Sequence, residues 1–76
     1  MVHDPVERRV AQALLALRKK FGDSIPPTRQ EIAELAGTTV ETAIRTISRF
    51  QQEGWVRSNR GKVHLLQPDS LSRLSS

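Results

Sequence analysis

The side chains best suited to chemistry in this sequence are a carboxylate and a guanidinium four positions apart, Glu41 and Arg45. On a helix this spacing places both side chains on one face. They could pair with each other, which stabilises a helix by only about 0.2–0.5 kcal/mol. They could instead recognise base edges in a DNA major groove, because arginine donates two hydrogen bonds to guanine and a carboxylate accepts one from cytosine. The two interpretations are compatible, since pairing in the free protein would fix the direction of Arg45 before DNA arrives.

Other kinds of site find no support in the sequence. The chain has no cysteine, which excludes thiol nucleophiles, disulfides and thiolate zinc ligands. Its two histidines, His3 and His64, have no metal-ligand spacing, and glycine-rich phosphate loops, Gly-x-Ser-x-Gly motifs and paired carboxylates are absent. We therefore expect neither an enzyme nor a metal or cofactor site in these residues.

Length and charge narrow the class of protein. With 76 residues the chain is expected to form one domain over 1–76, because a second core does not fit in this length. Twelve Lys and Arg against eight Asp and Glu give a net charge of +4, which serves solubility or indicates a polyanionic partner. The excess is concentrated in 44–62, with five basic side chains and one acidic, which favours the partner. No apolar run approaches the roughly 20 residues of a membrane span, so we expect a cytoplasmic protein without membrane contact.

The first part of the chain predicts a helix and a strand. The helix is expected over 4–22, with Asp4 as its N-cap and Gly22 at its end. Apolar residues at helical spacing, the last of them Phe21, predict one buried face. Ile25 is expected in a short edge strand.

A second helix is predicted over 29–36, because Thr28 and Glu31 form a capping box. Gly37 ends this helix, and a third helix begins after Thr39 and runs to about residue 53. The apolar residues of the second helix that are available for burial are Ile32, Ala33, Leu35 and Ala36.

The last part of the chain predicts a hairpin and a short helical segment. Strands are expected at 55–57 and 62–66, because the residues between them, 58–61, are rich in turn formers. A weak helical turn is predicted at 68–74.

These elements predict a mainly α fold with a small β-hairpin, a winged helix-turn-helix with a three-helix core and short antiparallel strands. The helix-turn-helix covers 29–52 and the hairpin, or wing, covers 55–66. The helix over 40–52 is then the recognition helix, which lies in the DNA major groove. Its inward-facing residues are Ala43, Ile47 and Phe50, which leaves as candidates for base contact Val40, Glu41, Ile44 and Arg45. In the groove Ile44 could touch a thymine methyl, or it could be partly buried at the helix edge.

Candidate phosphate contacts lie at helix starts, along the recognition helix and in the wing. Free N–H groups at a helix start favour anions, and a basic hairpin beside a recognition helix is expected to rest on the DNA backbone. Each side chain can equally be an ordinary solvated surface residue. The candidates are Thr28, Arg29, Gln30, Thr39, Ser48, Arg49, Arg57, Asn59, Arg60 and Lys62.

Two segments, IPPTRQEIA at 25–33 and GTTVET at 37–42, together with Arg45, closely resemble the CRP/FNR family of bacterial transcription regulators. The resemblance continues through the hairpin and covers roughly residues 6–74. It implies a homodimer that binds a palindromic operator in double-stranded DNA and regulates transcription, with RNA polymerase as a further candidate partner.

The resemblance also implies roles for individual residues. Glu41 and Arg45 match the positions that read bases in a TGA-containing half-site, and Arg29 matches a position near phosphates, as does Gln30. Ile44 stands, like Val40, where family members vary, so the outer bases of the half-site stay open.

The sensor domain and the dimerisation helix of the family are expected to be absent from this chain. Any small-molecule effector of a full-length protein would then bind in the sensor domain, and we expect no cofactor here. A winged helix used for protein–protein contact, without specific DNA readout and with cations that only confer solubility, is the alternative function.

Overall fold

The structure, a computed structural model, describes residues 5–26, 29–59 and 61–75. The described residues form a mainly helical fold with a small antiparallel sheet, as the sequence predicts. None of the described helices is both long and apolar enough to cross a membrane. The elements in chain order are α1 (Pro5–Phe21), β1 (Ser24–Ile25), α2 (Arg29–Ala36), α3 (Val40–Gln52), β2 (Val56–Asn59), β3 (Lys62–Leu65) and α4 (Pro68–Ser75).

The bounds of α2 and α3 agree with the local signals in the sequence. The helix predicted over 29–36 has these same bounds in the structure. α3 starts directly after its N-cap, Thr39, and Glu53 is its C-cap. Asp4 and Thr28, the predicted caps of α1 and α2, lie outside the described residues.

The three strands form one sheet in the order β1-β3-β2, with both neighbouring pairs antiparallel. Ile25 pairs with Val63 across the first pair, and Val56 pairs with Leu65 across the second. These four side chains are buried and form the inner face of the sheet. Because side chains alternate across a strand, the residues between them face outward.

The core lies between this inner sheet face and the apolar sides of the helices. α4 packs on α1 and buries Leu71 and Leu74, so the C-terminal segment contributes to the core. The largest fully buried side chains are Phe50, Leu14, Ile25, Ile32, Leu71, Val10, Val56 and Val63.

Two apolar side chains are exposed where the sequence predicted burial. Phe21 is 40% exposed, because it lies in the last turn of α1, and Lys20 Nζ lies 5.4 Å from the centroid of its ring. Leu35 is 58% exposed. The buried side of α2 is centred near Ile32 and Ala36, and Leu35 lies roughly 100° around the helix from it.

The hairpin and the last helix extend differently from the prediction. β2 runs to Asn59, so strand pairing includes two residues that were expected in the turn. The predicted weak turn at 68–74 is a helix of 8 residues, Pro68–Ser75. Its two buried leucines explain the difference, because tertiary packing stabilises a helix too short to form alone.

Candidate nucleic-acid interface

The turn between α2 and α3 is built around Gly37, whose φ is 71°. The Thr38 N–H donates to the Ala33 carbonyl at 2.9 Å, and the Gly37 N–H donates to the Glu34 carbonyl at 3.2 Å. This pair of bonds is a Schellman motif, which needs a residue in the left-handed region and therefore favours glycine. The motif ends α2 at Ala36, and only three residues separate it from the start of α3 at Val40.

The start of α3 is capped by Thr39. Its Oγ1 accepts a hydrogen bond from the Thr42 N–H at 3.2 Å and donates one to Thr42 Oγ1 at 2.9 Å. The hydroxyl hydrogen of Thr39 is therefore used within the helix. An anion that approaches here would meet the N–H groups of Val40 and Glu41, because the first N–H groups of a helix have no backbone partner within it and the cap uses the N–H of Thr42.

The far end of α3 is fixed against the sheet. The Trp55 N–H donates to the Phe50 carbonyl at 2.9 Å, and the rings of these two residues are 5.6 Å apart. Phe50 is fully buried and Trp55 packs against the core as a partly buried residue. Both ends of α3 are thus held by local structure.

One face of α3 is buried and the opposite face is exposed. Ala43, Ile47 and Phe50 are at most 2% exposed, as predicted. Val40 and Ile44, one turn apart, are 38% and 46% exposed. Ile44 is therefore not held in the core, and the start of α3 presents two apolar side chains to solvent.

Glu41 and Arg45 are exposed on the same helix, but they do not pair. Within the described part of the chain, neither side chain forms an ion pair or a hydrogen bond. The predicted i,i+4 salt bridge is thus not formed. No described residue uses a donor of the Arg45 guanidinium, so these donors can bind an external partner.

Arg49, one turn beyond Arg45, pairs with a first-turn residue of α1 that the sequence analysis did not connect with α3. Its Nε lies 3.1 Å from Glu7 Oε2 in the first turn of α1. The Arg49 side chain is 61% exposed and that of Glu7 is 14% exposed. Ser48, the neighbouring candidate, is exposed.

Arg29 is the first residue of α2, and its half-buried side chain reaches the wing. Its Nη2 donates a hydrogen bond to Ser58 Oγ, and the Ser58 N–H donates to Gln51 Oε1 at 3.1 Å. Three elements, α2, α3 and β2, are therefore joined through Ser58. Arg29 was predicted near phosphates, and the structure adds a contact 29 positions away that no local pattern indicates.

The outer face of the wing is polar and basic. Arg57 pairs with His64 across β2 and β3, and Asn59 pairs with Lys62. Since these strand positions alternate with the buried ones, all four side chains point away from the core. Arg57, Asn59 and Lys62 are exposed and His64 is half-buried. His64 thus shares the face of the predicted phosphate contacts.

The remaining candidates are placed as follows. Gln30 is exposed in the first turn of α2. Thr28 and Arg60 lie outside the described residues. Among residues 5–26, 29–59 and 61–75, no group of three or more His, Asp or Glu side chains could hold a metal ion.

The chain matches known proteins over nearly its whole length. A family model for the Crp-like helix-turn-helix domain matches residues 8–74. A CRP-like cAMP-activated global transcriptional regulator of Mycobacterium tuberculosis is 30% identical over 96% of this chain. The transcriptional regulatory protein btr of Bordetella pertussis is 36% identical over 90% of it. The chain spans about a third of these relatives, 36% and 31% of their lengths.

Solved structures show the same arrangement of elements. The catabolite activator protein of Thermus thermophilus superposes with a TM-score of 0.89 at 35% identity, over 93% of this chain and 34% of that one. A CRP/FNR-family regulator from the same organism, TTHA1359, superposes with a TM-score of 0.82 at 32% identity, over 91% of this chain and 39% of that one.

Proposed function

Because the chain belongs to the Crp-like helix-turn-helix family of DNA-binding transcription regulators, we propose that it reads a specific operator sequence with α3 in the major groove. One observation carries this proposal. The first turns of α3 expose Val40, Ile44 and an Arg45 without partners among the described residues, while the other face of the helix is buried.

The exposed residues of α3 match the chemistry of base edges. Arg45 would donate two hydrogen bonds to N7 and O6 of a guanine, and Glu41 would accept one from N4 of a cytosine. Val40 and Ile44 offer apolar surface to thymine methyl groups, which the major groove exposes. We propose a TGA-containing half-site as the target, with the outer bases selected by these two apolar side chains.

The proposed phosphate contacts surround this reading surface. Such contacts fix the register of the protein on the duplex and carry no sequence information of their own. Four of them are cations of the wing and of α3, four lie at helix starts, and the polar side chains of Ser48 and Asn59 supply the other two. The set is Thr28, Arg29, Gln30, Thr39, Ser48, Arg49, Arg57, Asn59, Arg60 and Lys62.

We further propose that this chain is the DNA-binding domain of a longer bacterial regulator that acts in the cytoplasm. Relatives about three times as long support this view. Two copies, held together by segments outside this chain, would bind the halves of a palindromic operator. A small-molecule effector would bind outside these residues, and contact with RNA polymerase would complete regulation.

Selection from a random DNA pool, with a covalently dimerised form of the chain, tests sequence-specific binding. We expect enrichment of a palindrome with a G·C pair in each TGA element. Titration with salt then tests phosphate contact, because log affinity should fall with log salt concentration by about 0.9 for each phosphate contacted.

A pool without enrichment, together with affinity that ignores salt, would contradict DNA readout. That outcome would favour a winged helix that contacts another protein. Enrichment of a sequence that lacks the TGA element would leave DNA binding in place and contradict the proposed half-site.

A further inference from the structure

We infer that Glu7 is a positioning residue for DNA binding, which holds the Arg49 guanidinium in place for a phosphate contact. This inference rests on the proposed function. The structural basis is the ion pair between Glu7 Oε2 and Arg49 Nε, 3.1 Å apart, which joins the first turn of α1 to α3.

The two partners of this ion pair are unequally exposed. The Glu7 side chain is 14% exposed and the Arg49 side chain is 61% exposed. Glu7 is thus fixed within the protein, while most of the arginine surface faces solvent. Arginine has five N–H donors in a rigid plane, and the contact with Glu7 engages Nε. The two Nη groups at the far side of the plane can still bind an anion.

The ion pair lies beside the proposed reading surface. A groove between α1 and α3 is lined by Glu7, Arg49, Arg45 and Thr42, among others. Arg45 and Arg49 are one turn apart on α3 and therefore share one side of the helix. Arg49, held in this position, lies next to Arg45, the proposed base-reading arginine. There the DNA backbone would flank the major groove.

Two effects of Glu7 on DNA binding have opposite signs. A carboxylate near DNA repels phosphates, so its removal should strengthen binding if charge alone matters. A carboxylate that orders Arg49 lowers the conformational entropy lost on binding, so its removal should weaken binding. We expect the second effect to be larger, because the Glu7 carboxylate is already compensated by Arg49 in the free protein.

The test compares Glu7→Ala and Glu7→Gln for affinity to the selected duplex over a range of salt concentrations. We expect Glu7→Ala to weaken binding about two- to tenfold, which corresponds to ordering one long side chain. Glu7→Gln keeps an oxygen that accepts from Nε and should restore most of this loss. Glu34→Ala is the matched control, because it removes an exposed acidic side chain from α2 and should not weaken binding.

Arg49 variants show whether the effect of Glu7 passes through Arg49. In an Arg49→Ala background, Glu7→Ala should cause no further loss, because coupled residues are not additive. Arg49→Lys should behave like Arg49→Ala, since a lysine has one charged group and Glu7 would occupy it. The Nε–H signal of Arg49 in nitrogen-15 NMR spectra of the free protein should be protected from exchange in wild type and Glu7→Gln, and lost in Glu7→Ala.

Several outcomes would overturn the inference. These are binding by Glu7→Ala that is unchanged or tighter, a Glu7→Ala loss that persists in the Arg49→Ala background, or an Arg49→Lys variant that binds like wild type. A wild-type chain that fails to bind duplex DNA overturns the proposed function, and this inference falls with it. The two failures are therefore distinguishable.

Discussion

α3, the proposed recognition helix, and the wing differ in how they are held and in what they expose. α3 is fixed at both ends by caps and along one side by buried apolar residues. It presents two apolar side chains and Arg45, which has no partner among the described residues, to solvent. The wing is held by strand pairing and by the contacts of Ser58 with Arg29 and Gln51, and its outer face is polar and basic.

This difference suggests a division of work between the two regions. Apolar groups gain nothing from a phosphate, but they can contact a thymine methyl, and arginine can select guanine. A polar, basic strand face suits the backbone, which has the same charge at every base pair. We therefore expect mutations in α3 to change which sequence is bound and mutations in the wing to change how strongly every sequence is bound.

The largest effect is expected from a substitution in the turn that positions α3 after α2. Gly37→Val forces a β-branched residue to adopt a φ of 71° and should lower the free energy of unfolding by about 1–3 kcal/mol. Thermal unfolding measures this effect, since each kcal/mol shifts the melting temperature of a small domain by roughly 4–8 °C. No atom of the described residues lies within 4 Å of a Cβ added at Gly37, so we expect the loss to arise from backbone strain.

Gly37→Asn provides the control for this prediction, because asparagine tolerates the left-handed region better than other residues. It should melt between wild type and Gly37→Val. Equal melting temperatures for wild type and Gly37→Val would mean that the turn does not require this conformation.

Arg45→Ala tests whether α3 determines which sequence is bound. It should cost about 1–3 kcal/mol against the preferred site and remove the preference for a G·C pair at one position. Competition binding with duplexes that differ at that pair measures the change. Arg45→Lys keeps the charge without the paired donors, so it should retain more affinity for unrelated DNA than Arg45→Ala does. A variant with its full base preference would show that another residue reads this pair.

The smallest effect is expected in the wing. Lys62→Ala should weaken binding to all sequences about equally and flatten the dependence of log affinity on log salt concentration by roughly one unit. Binding curves for the selected site and for a scrambled duplex measure both quantities. If Lys62→Ala changed the ranking of sequences, the wing would take part in readout and the division of work would fail.

Much of the helix-turn-helix could be predicted from local sequence signals. The start of α3 at Thr39 and the end of α2 at Gly37 depend on caps that act within three or four residues. The exposed set on α3 follows from helical spacing once Ala43 and Ile47 are assigned to the core. Because these signals are short in range, they are visible in the chain itself.

The errors and omissions involve contacts between distant segments. Phe21 has the right spacing for burial, but it is 40% exposed in the last turn of α1. The length of α4 depends on its packing against α1, which local propensity does not encode. Glu7 in particular has the features of an ordinary first-turn acidic residue in the sequence, and its contact with α3 exists only because α1 and α3 pack together.

The sequence by itself determined where α2 and α3 begin and end, which face of α3 is buried, and which chemical groups the other face offers. Only the tertiary structure decided that Glu41 does not pair with Arg45, that Glu7 pairs with Arg49, and that Ser58 joins Arg29 to α3. The physical reason is the distance along the chain over which each interaction acts. Caps and helical periodicity act over one turn, whereas an ion pair between two helices depends on how their buried side chains set the crossing.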